Sequence, residues 1–121
     1  MANADRSVHP NALPNYQNVI LPREKVEKYV LDPTHPEGKH KANLFKSVLG
    51  FEQPDWDMLA RIIIEQLPYY EAVVGRKDRY GQRYNVTMPI LGLNGKTADV
   101  LTAWILDVGQ AIPRFITAYL D

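Results

Sequence analysis

There is no cysteine in the chain. That removes disulfides, thiolate nucleophiles and thiolate metal sites at once. Histidine is nearly as scarce. His9, His35 and His40 are the three present. None has the i, i+4 spacing of a helical metal pair and no carboxylate cluster accompanies them, so no metal site is expected. A glycine-rich phosphate loop and a Gly-x-Ser-x-Gly elbow are also missing, and no cofactor is implied. No apolar run is long enough to span a bilayer, and the opening stretch MANADRSVHPNALPNYQN lacks the apolar core of a signal peptide. The expectation is a cytoplasmic protein with no membrane partner. Export within a toxin system, or excision from a larger polypeptide, leaves no mark in such a sequence. Net charge is absent as well, with 14 basic residues against 14 acidic ones. A protein that holds long nucleic acid needs a basic excess to neutralise phosphates, whereas a small local basic site does not.

What is present fits one domain with a single core: 121 residues, 45% hydrophobic and 23% charged. Residues 1–17 are polar and proline-interrupted and read as a flexible leader; residues 18–121 read as the domain. VILPREKVEKYVLDP suggests a helix begun at Pro22 and stopped by Pro33. GKHKANLFKSVLGF suggests a second, with Leu44, Phe45 and Val48 as its stripe and Gly50 at its end. QPDWDML opens a third, and its ARIIIEQL run is apolar nearly all round, as in a buried helix.

After about residue 80 the period becomes alternating. RYNVTMPI and TADVLTAWIL flank GLNGK, and Asn-Gly between such runs signals a hairpin. With Asn94 and Gly95 as the two turn residues, Met88 faces Leu101, Val86 faces Ala103 and Tyr84 faces Ile105 on the core side. Arg83, Asn85, Thr87, Thr102 and Trp104 then share the other side. PRFITAY supplies a third strand; with Ile116 and Ala118 inward, Phe115, Thr117 and Tyr119 join Trp104 and Thr102. The fold class is α+β, with N-terminal helices on one face of a mainly antiparallel β-meander containing an Asn-Gly hairpin.

Three constellations carry chemistry. Lys39, His40 and Lys41 gather at a helix start, where backbone N–H groups favour an anion; a solvated basic end, with Lys41 snorkelling past Phe45, is the plainer account. The mixed face of Thr102, Trp104, Phe115, Thr117 and Tyr119 suits stacking of a base and bonding of a phosphate, or equally a dimer interface or a face covered by the N-terminal leader. Arg114 is the only basic residue of the last strand, open to a phosphate clamp or an ion pair. The GRKDRYGQR run, with Arg76, Lys77, Arg79 and Arg83, reads as a solvated loop that adds to the local positive charge.

Gly38, Lys39, Lys41, Ala42, Phe45, Gly50 and Phe51, followed by Thr102, Trp104, Ile105, Pro113, Arg114, Thr117, Ala118 and Tyr119, resemble the recurrent elements of a bacterial domain family of unknown function common in cyanobacteria. The likeness runs over roughly residues 13–119. More distantly, helices with Lys/His near a helix start, then a meander ending in Thr-x-Tyr, resemble the barnase–EndoU–colicin–RelE group of small ribonucleases and toxins. That resemblance implies metal-independent RNA cleavage by attack of the ribose 2′-hydroxyl on the adjacent phosphate. It makes His40 the base or acid, with Lys41 and Tyr119 as the substitutes for that work. Lys39, Lys41 and Arg114 stabilise the phosphorane, and Thr117 and Tyr119 position the phosphate or stack a base. Arg83, Thr102 and Trp104 complete a substrate-binding set. The expected partners are RNA, an immunity or antitoxin protein, or a second copy in a homodimer. The reading from a different class is a non-enzymatic binding or assembly module, dimeric through the Trp104 face.

Overall fold

The computed structural model describes residues 6–121. Helix α1 (Arg23–Lys25) follows Pro22, whose preset φ suits a helix start, and runs on into a π-helical turn at Val26–Val30. Helix α2 (Lys39–Leu44) continues in the same way through Phe45–Leu49 and stops at Gly50, φ 78°. The stripe it buries is Ala42, Phe45 and Leu49, with Val48 partly covered. Leu44 falls outside that three–four spacing and is 46% exposed, contrary to its expected place. Helix α3 (Trp56–Gln66) is entered through a 3-10 turn, Gln53–Asp55, where the Asp55 carboxylate accepts the Glu52 N–H at 2.9 Å. It is not the buried helix its composition suggests. Leu59 and Ile63 are inside, whereas Met58 and Ile64 face solvent.

Four strands follow: β1 (Ala72–Asp78), β2 (Gly81–Leu91), β3 (Thr97–Asp107) and β4 (Arg114–Leu120). They pair antiparallel in the order β1-β2-β3-β4, so the α+β meander is the observed fold. β1 is an addition to the sequence reading. Arg76 and Lys77, expected in a loop, lie on β1; Arg79 is in the turn after it and Arg83 on β2.

The β2–β3 register differs from the expected one by a single residue. Met88 faces Val100, Val86 faces Thr102 and Tyr84 faces Trp104. The cause is the loop. Gly92 N–H bonds to the Lys96 carbonyl, and Gly95 N–H to the Gly92 carbonyl, so three residues, Leu93, Asn94 and Gly95, make the turn. Gly95 closes it at φ 85°, as the residue after a type I turn must. A one-residue shift turns every side chain of β3 over. Thr102 and Trp104 therefore point to the core side, and Leu101, Ala103 and Ile105 point away.

A bulge does the same to the start of β4. Ala103 pairs with Thr117 but Trp104 pairs with Phe115, which leaves Ile116 as the extra residue. Phe115 consequently joins Ala118 on the core side, both fully buried, while Ile116 is only partly covered. Trp104 and Phe115 meet edge to face at 5.3 Å inside their own chain's core, which removes them as dimer anchors.

The core joins the helices' Val26, Val30, Phe45, Leu49, Leu59 and Ile63 to Val86, Met88, Ile90, Val100 and Trp104 of the sheet. The hairpin tip is locked onto the end of α2. Asn94 Nδ2 donates to the Val48 carbonyl at 2.9 Å, and a Cβ on Gly92 would lie 2.4 Å from the Leu49 carbonyl oxygen, so only glycine fits.

Of the expected leader, residues 1–5 lie outside the described residues. Beyond them, Leu13 is buried, His9 N–H bonds to the Pro68 carbonyl, and Ala72 N–H bonds to the Asn11 carbonyl. Ile20 adds one parallel bridge beside Arg114. Among the described residues no helix is long and apolar enough to cross a membrane.

Candidate functional site

The helices all pack on one face of the sheet. The other face is read from the pairing, because cross-strand neighbours share a side. Its first row is Arg83, Ile105 and Arg114; the second is Val73, Asn85, Ala103 and Thr117; the third is Thr87, Leu101 and Tyr119. Ile105 is 2% exposed yet lies outside the core cluster, since its cross-strand neighbours are two arginines whose alkyl stems can cover it. Four of the sequence-predicted residues, Arg83, Arg114, Thr117 and Tyr119, thus share one helix-free surface.

Each arginine has an acid beside it. Arg114 Nε and Nη2 donate to the two Asp107 carboxylate oxygens, both at 3.0 Å, a bidentate fork that holds the guanidinium plane. The same bonds hold the Asp107 carboxyl below its ordinary pKa, against the opposing effect of desolvation, and raise that of Arg114. Asp78 lies 4.0 Å from Arg83 Nε and 3.0 Å from Arg76 Nε. Its carboxyl is lowered chiefly by the Tyr80 N–H, then by Arg76 and Arg83.

Two buried polar atoms on this face, Arg83 Nε and Thr117 Oγ1, have no hydrogen-bond partner among the described residues. They lie in adjacent rows. Such orphans are rare enough in folded proteins to call for an explanation.

Lys41 reaches the third row from α2. Its ammonium lies 4.9 Å from the Tyr119 ring centroid and 5.9 Å from that of Tyr29, both within cation–π range. Lys25 approaches Tyr29 at 5.7 Å. Tyr29 belongs to the site's surroundings and was not legible as such, because its spacing marks it only as core. Lys39 and His40 are exposed. His40 shares an open groove with Asn43, Leu44, Lys46 and Ser47, a stripe of α2 that does not include Lys41. Among the described residues no hydrogen bond, ion pair or aromatic contact joins His40 to Tyr119 or Arg114.

Thr102 and Trp104 are not part of this surface. Both are fully buried, the Thr102 hydroxyl donating to the Val86 carbonyl and accepting from the Trp104 indole, each at 2.8 Å. A side chain so enclosed offers a substrate nothing. Asn85 and Thr87 are the polar groups that take their place, and Asp107 is a member that sequence reasoning missed. Among the described residues no group of three or more His, Cys, Asp or Glu is assembled to hold a metal ion.

The class defined by this fold and site is a small α+β domain that presents paired arginines, hydroxyls and a tyrosine–lysine contact on a helix-free sheet face. A family model for a domain of unknown function, DUF6883, matches residues 12–121, and the chain belongs to that family. No curated protein matches it. Among solved structures it is similar to a chain of a contact-dependent growth inhibition toxin–immunity protein complex from Klebsiella pneumoniae 342, with a TM-score of 0.66 and 17% identity. The match covers 88% of this chain and 96% of that one. At that identity the likeness is one of fold.

Proposed function

We propose that this domain is a small, toxin-like endoribonuclease that cleaves RNA without a metal ion, using the helix-free face of the sheet. The observation that carries the reading is the shared row order of Arg83, Arg114, Thr117 and Tyr119, with the Lys41 ammonium over Tyr119. A phosphodiester laid along these rows would meet two guanidiniums at one end and the Tyr119 ring with the Lys41 ammonium over it at the other, above the buried Thr117 hydroxyl and Arg83 Nε. Arg83, Arg114 and Lys41 would stabilise the charge that builds on phosphorus as the 2′-hydroxyl attacks. Tyr119 and Lys41, whose ammonium lies over the Tyr119 ring, would carry the proton transfers, since His40 lies on another stripe of α2. The likeness to a chain of a toxin–immunity complex supports a toxin-type role and, with it, a protein partner.

The test is incubation of the purified domain with labelled tRNA in EDTA, with analysis of fragment ends. Fragments ending in 2′,3′-cyclic phosphate, lost in Lys41→Ala and Arg114→Ala at nearly unchanged thermal stability, are the expected result. No cleavage between about pH 5 and about pH 9 would reject the enzyme. The domain would then be a binding module, the second reading.

A further inference from the structure

We infer that Tyr29 and His35 are positioning residues for Lys41, with His35 acting through Tyr29 and through the loop that opens α2. The inference rests on the ribonuclease reading for what Lys41 does, and on geometry for what holds Lys41 in place. The contacts begin in the stretch PTHPEG, residues 33–38. Asp32 turns the chain into it, its carboxylate accepting the Thr34 N–H at 2.8 Å and the Thr34 hydroxyl at 2.7 Å. His35 closes it. Its Nδ1 accepts the N–H of Glu37 at 3.0 Å and that of Gly38 at 3.1 Å, and its carbonyl accepts the Lys39 N–H at 3.0 Å. A ring nitrogen that accepts carries no proton, so the imidazole proton belongs on Nε2. One nitrogen thereby fixes Gly38, the residue before α2. The Gly38 carbonyl in turn accepts the Ala42 N–H at 3.0 Å and so opens the helix that carries Lys41.

The same ring braces Tyr29. The two rings meet edge to face, their centroids 4.8 Å apart and their planes at 89°. Gly38 lies against Tyr29 as well: a Cβ there would come within 2.8 Å of the Tyr29 carbonyl oxygen and 3.5 Å of its ring Cδ1. The π-helical turn that carries Tyr29 packs against both α2 and β4, the elements that supply Lys41 and Tyr119. The Lys41 ammonium is consequently within reach of two rings, Tyr119 at 4.9 Å and Tyr29 at 5.9 Å.

Among the described residues no carboxylate pairs with Lys41. A compact charge on a flexible four-carbon stem does not hold one place unaided, so the two rings are what confine it. Tyr119 belongs to the face itself; Tyr29 is the ring that comes from outside it, and His35 is what Tyr29 leans on. Loop closure alone would account for the two N–H bonds to Nδ1. The edge contact with Tyr29 is what ties that loop to the ammonium.

The test reads Lys41 directly, by NMR of the ¹³C,¹⁵N-labelled protein, its side-chain Hε–Cε signal assigned by its disappearance in Lys41→Arg. Ring currents should place that signal upfield of exposed lysines such as Lys39. Tyr29→Leu should move it part of the way back and lower RNA cleavage at least about tenfold. Tyr29→Phe, which keeps the ring, should match the parent in both. His35→Leu, which fills the space but accepts nothing, should move the signal in the same direction and slow cleavage. His35→Asn, whose side-chain oxygen can take the two N–H bonds, should recover part of each loss. Should the leucine variants not fold, the parent decides: its Lys41 signal must lie upfield, and the two ¹⁵N shifts of His35 must show the proton on Nε2. A Lys41 signal among those of exposed lysines, or a His35 proton on Nδ1, would overturn the inference. So would folded leucine variants with the Lys41 signal unmoved, or His35→Asn no better than His35→Leu. These spectra need no RNA. Expected spectra without cleavage by the parent would reject the ribonuclease reading and leave the placement of Lys41 standing, whereas cleavage with the signal unmoved would reject the placement alone.

Discussion

The two faces of the sheet treat polar groups differently. On the helix-covered face Thr102 is, among the described residues, the one fully buried polar residue, and its hydroxyl both gives a hydrogen bond to Val86 and takes one from Trp104. Everything around it is apolar and packed. On the helix-free face Thr117 has a buried hydroxyl with no partner among the described residues, and Arg83 a buried Nε in the same state. Two threonines, one strand apart and paired through Ala118 and Ala103 to opposite sides, thus live under opposite rules. Full satisfaction is what a stability-bearing core requires, because a low dielectric makes each unmet group costly. A face that leaves polar atoms unmet while tying its Arg114 guanidinium to an acid is not built as a stability-bearing core is.

The largest effect should come from removing the covered face's main side chain. Trp104→Ala takes away a fully enclosed indole, its edge-to-face contact with Phe115 and its bond to Thr102. A loss of about 3–5 kcal/mol is expected in urea unfolding. Retention of near-parental stability would mean Trp104 is an outward-facing residue after all.

The sharper comparison sets the two threonines against each other. Thr102→Val keeps the shape but strands the indole N–H and takes the hydroxyl donor from the Val86 carbonyl, for a loss of about 1–3 kcal/mol. Thr117→Val removes a buried hydroxyl that bonds to nothing among the described residues, so stability should hold or rise, by up to about 1 kcal/mol, while RNA cleavage falls. If Thr117→Val costs as much as Thr102→Val, the hydroxyl is structurally engaged and the contrast between the faces is gone.

That contrast was half legible. The alternation of β2 put Arg83, Asn85 and Thr87 on the helix-free side, and the alternation at the end of β4 put Thr117 and Tyr119 there, as observed. β3 was ambiguous because both of its faces are largely apolar: Leu101, Ala103 and Ile105 on one, Val100, Thr102 and Trp104 on the other. Only the register could choose, and Asn-Gly announces a turn without stating whether the loop holds two residues or three. The bulge at Ile116 has no signature in PRFITAY, so the turning of Phe115 could not be read, nor the pairing of Arg114 with Asp107. β1 was missed because AVV offers too short an alternation before Gly75 and a charged run. The Lys41–Tyr119 contact, and the separation of His40 from it, depend on which stripe of α2 meets β4.

The smallest effect concerns the rim of the helix-free face and its acid. Asp107 has a depressed pKa in the folded protein because Arg114 donates to it, so the stabilisation it brings is complete above the unfolded-state carboxylate value. It is lost as the pH falls through the lower, folded-state value. Asp107→Asn removes that titration. The melting temperature of the variant should therefore lie slightly below the parent's from neutrality down to roughly pH 4. The gap should close at more acidic pH and shrink with added salt, as for any exposed pair. A gap that stays constant into acid would show that the pair is not what holds Asp107 ionised. The same variant loosens Arg114 without removing it, so its cleavage rate should fall less than that of Arg114→Ala. An equal fall would mean that the guanidinium works only in the orientation its carboxylate partner imposes.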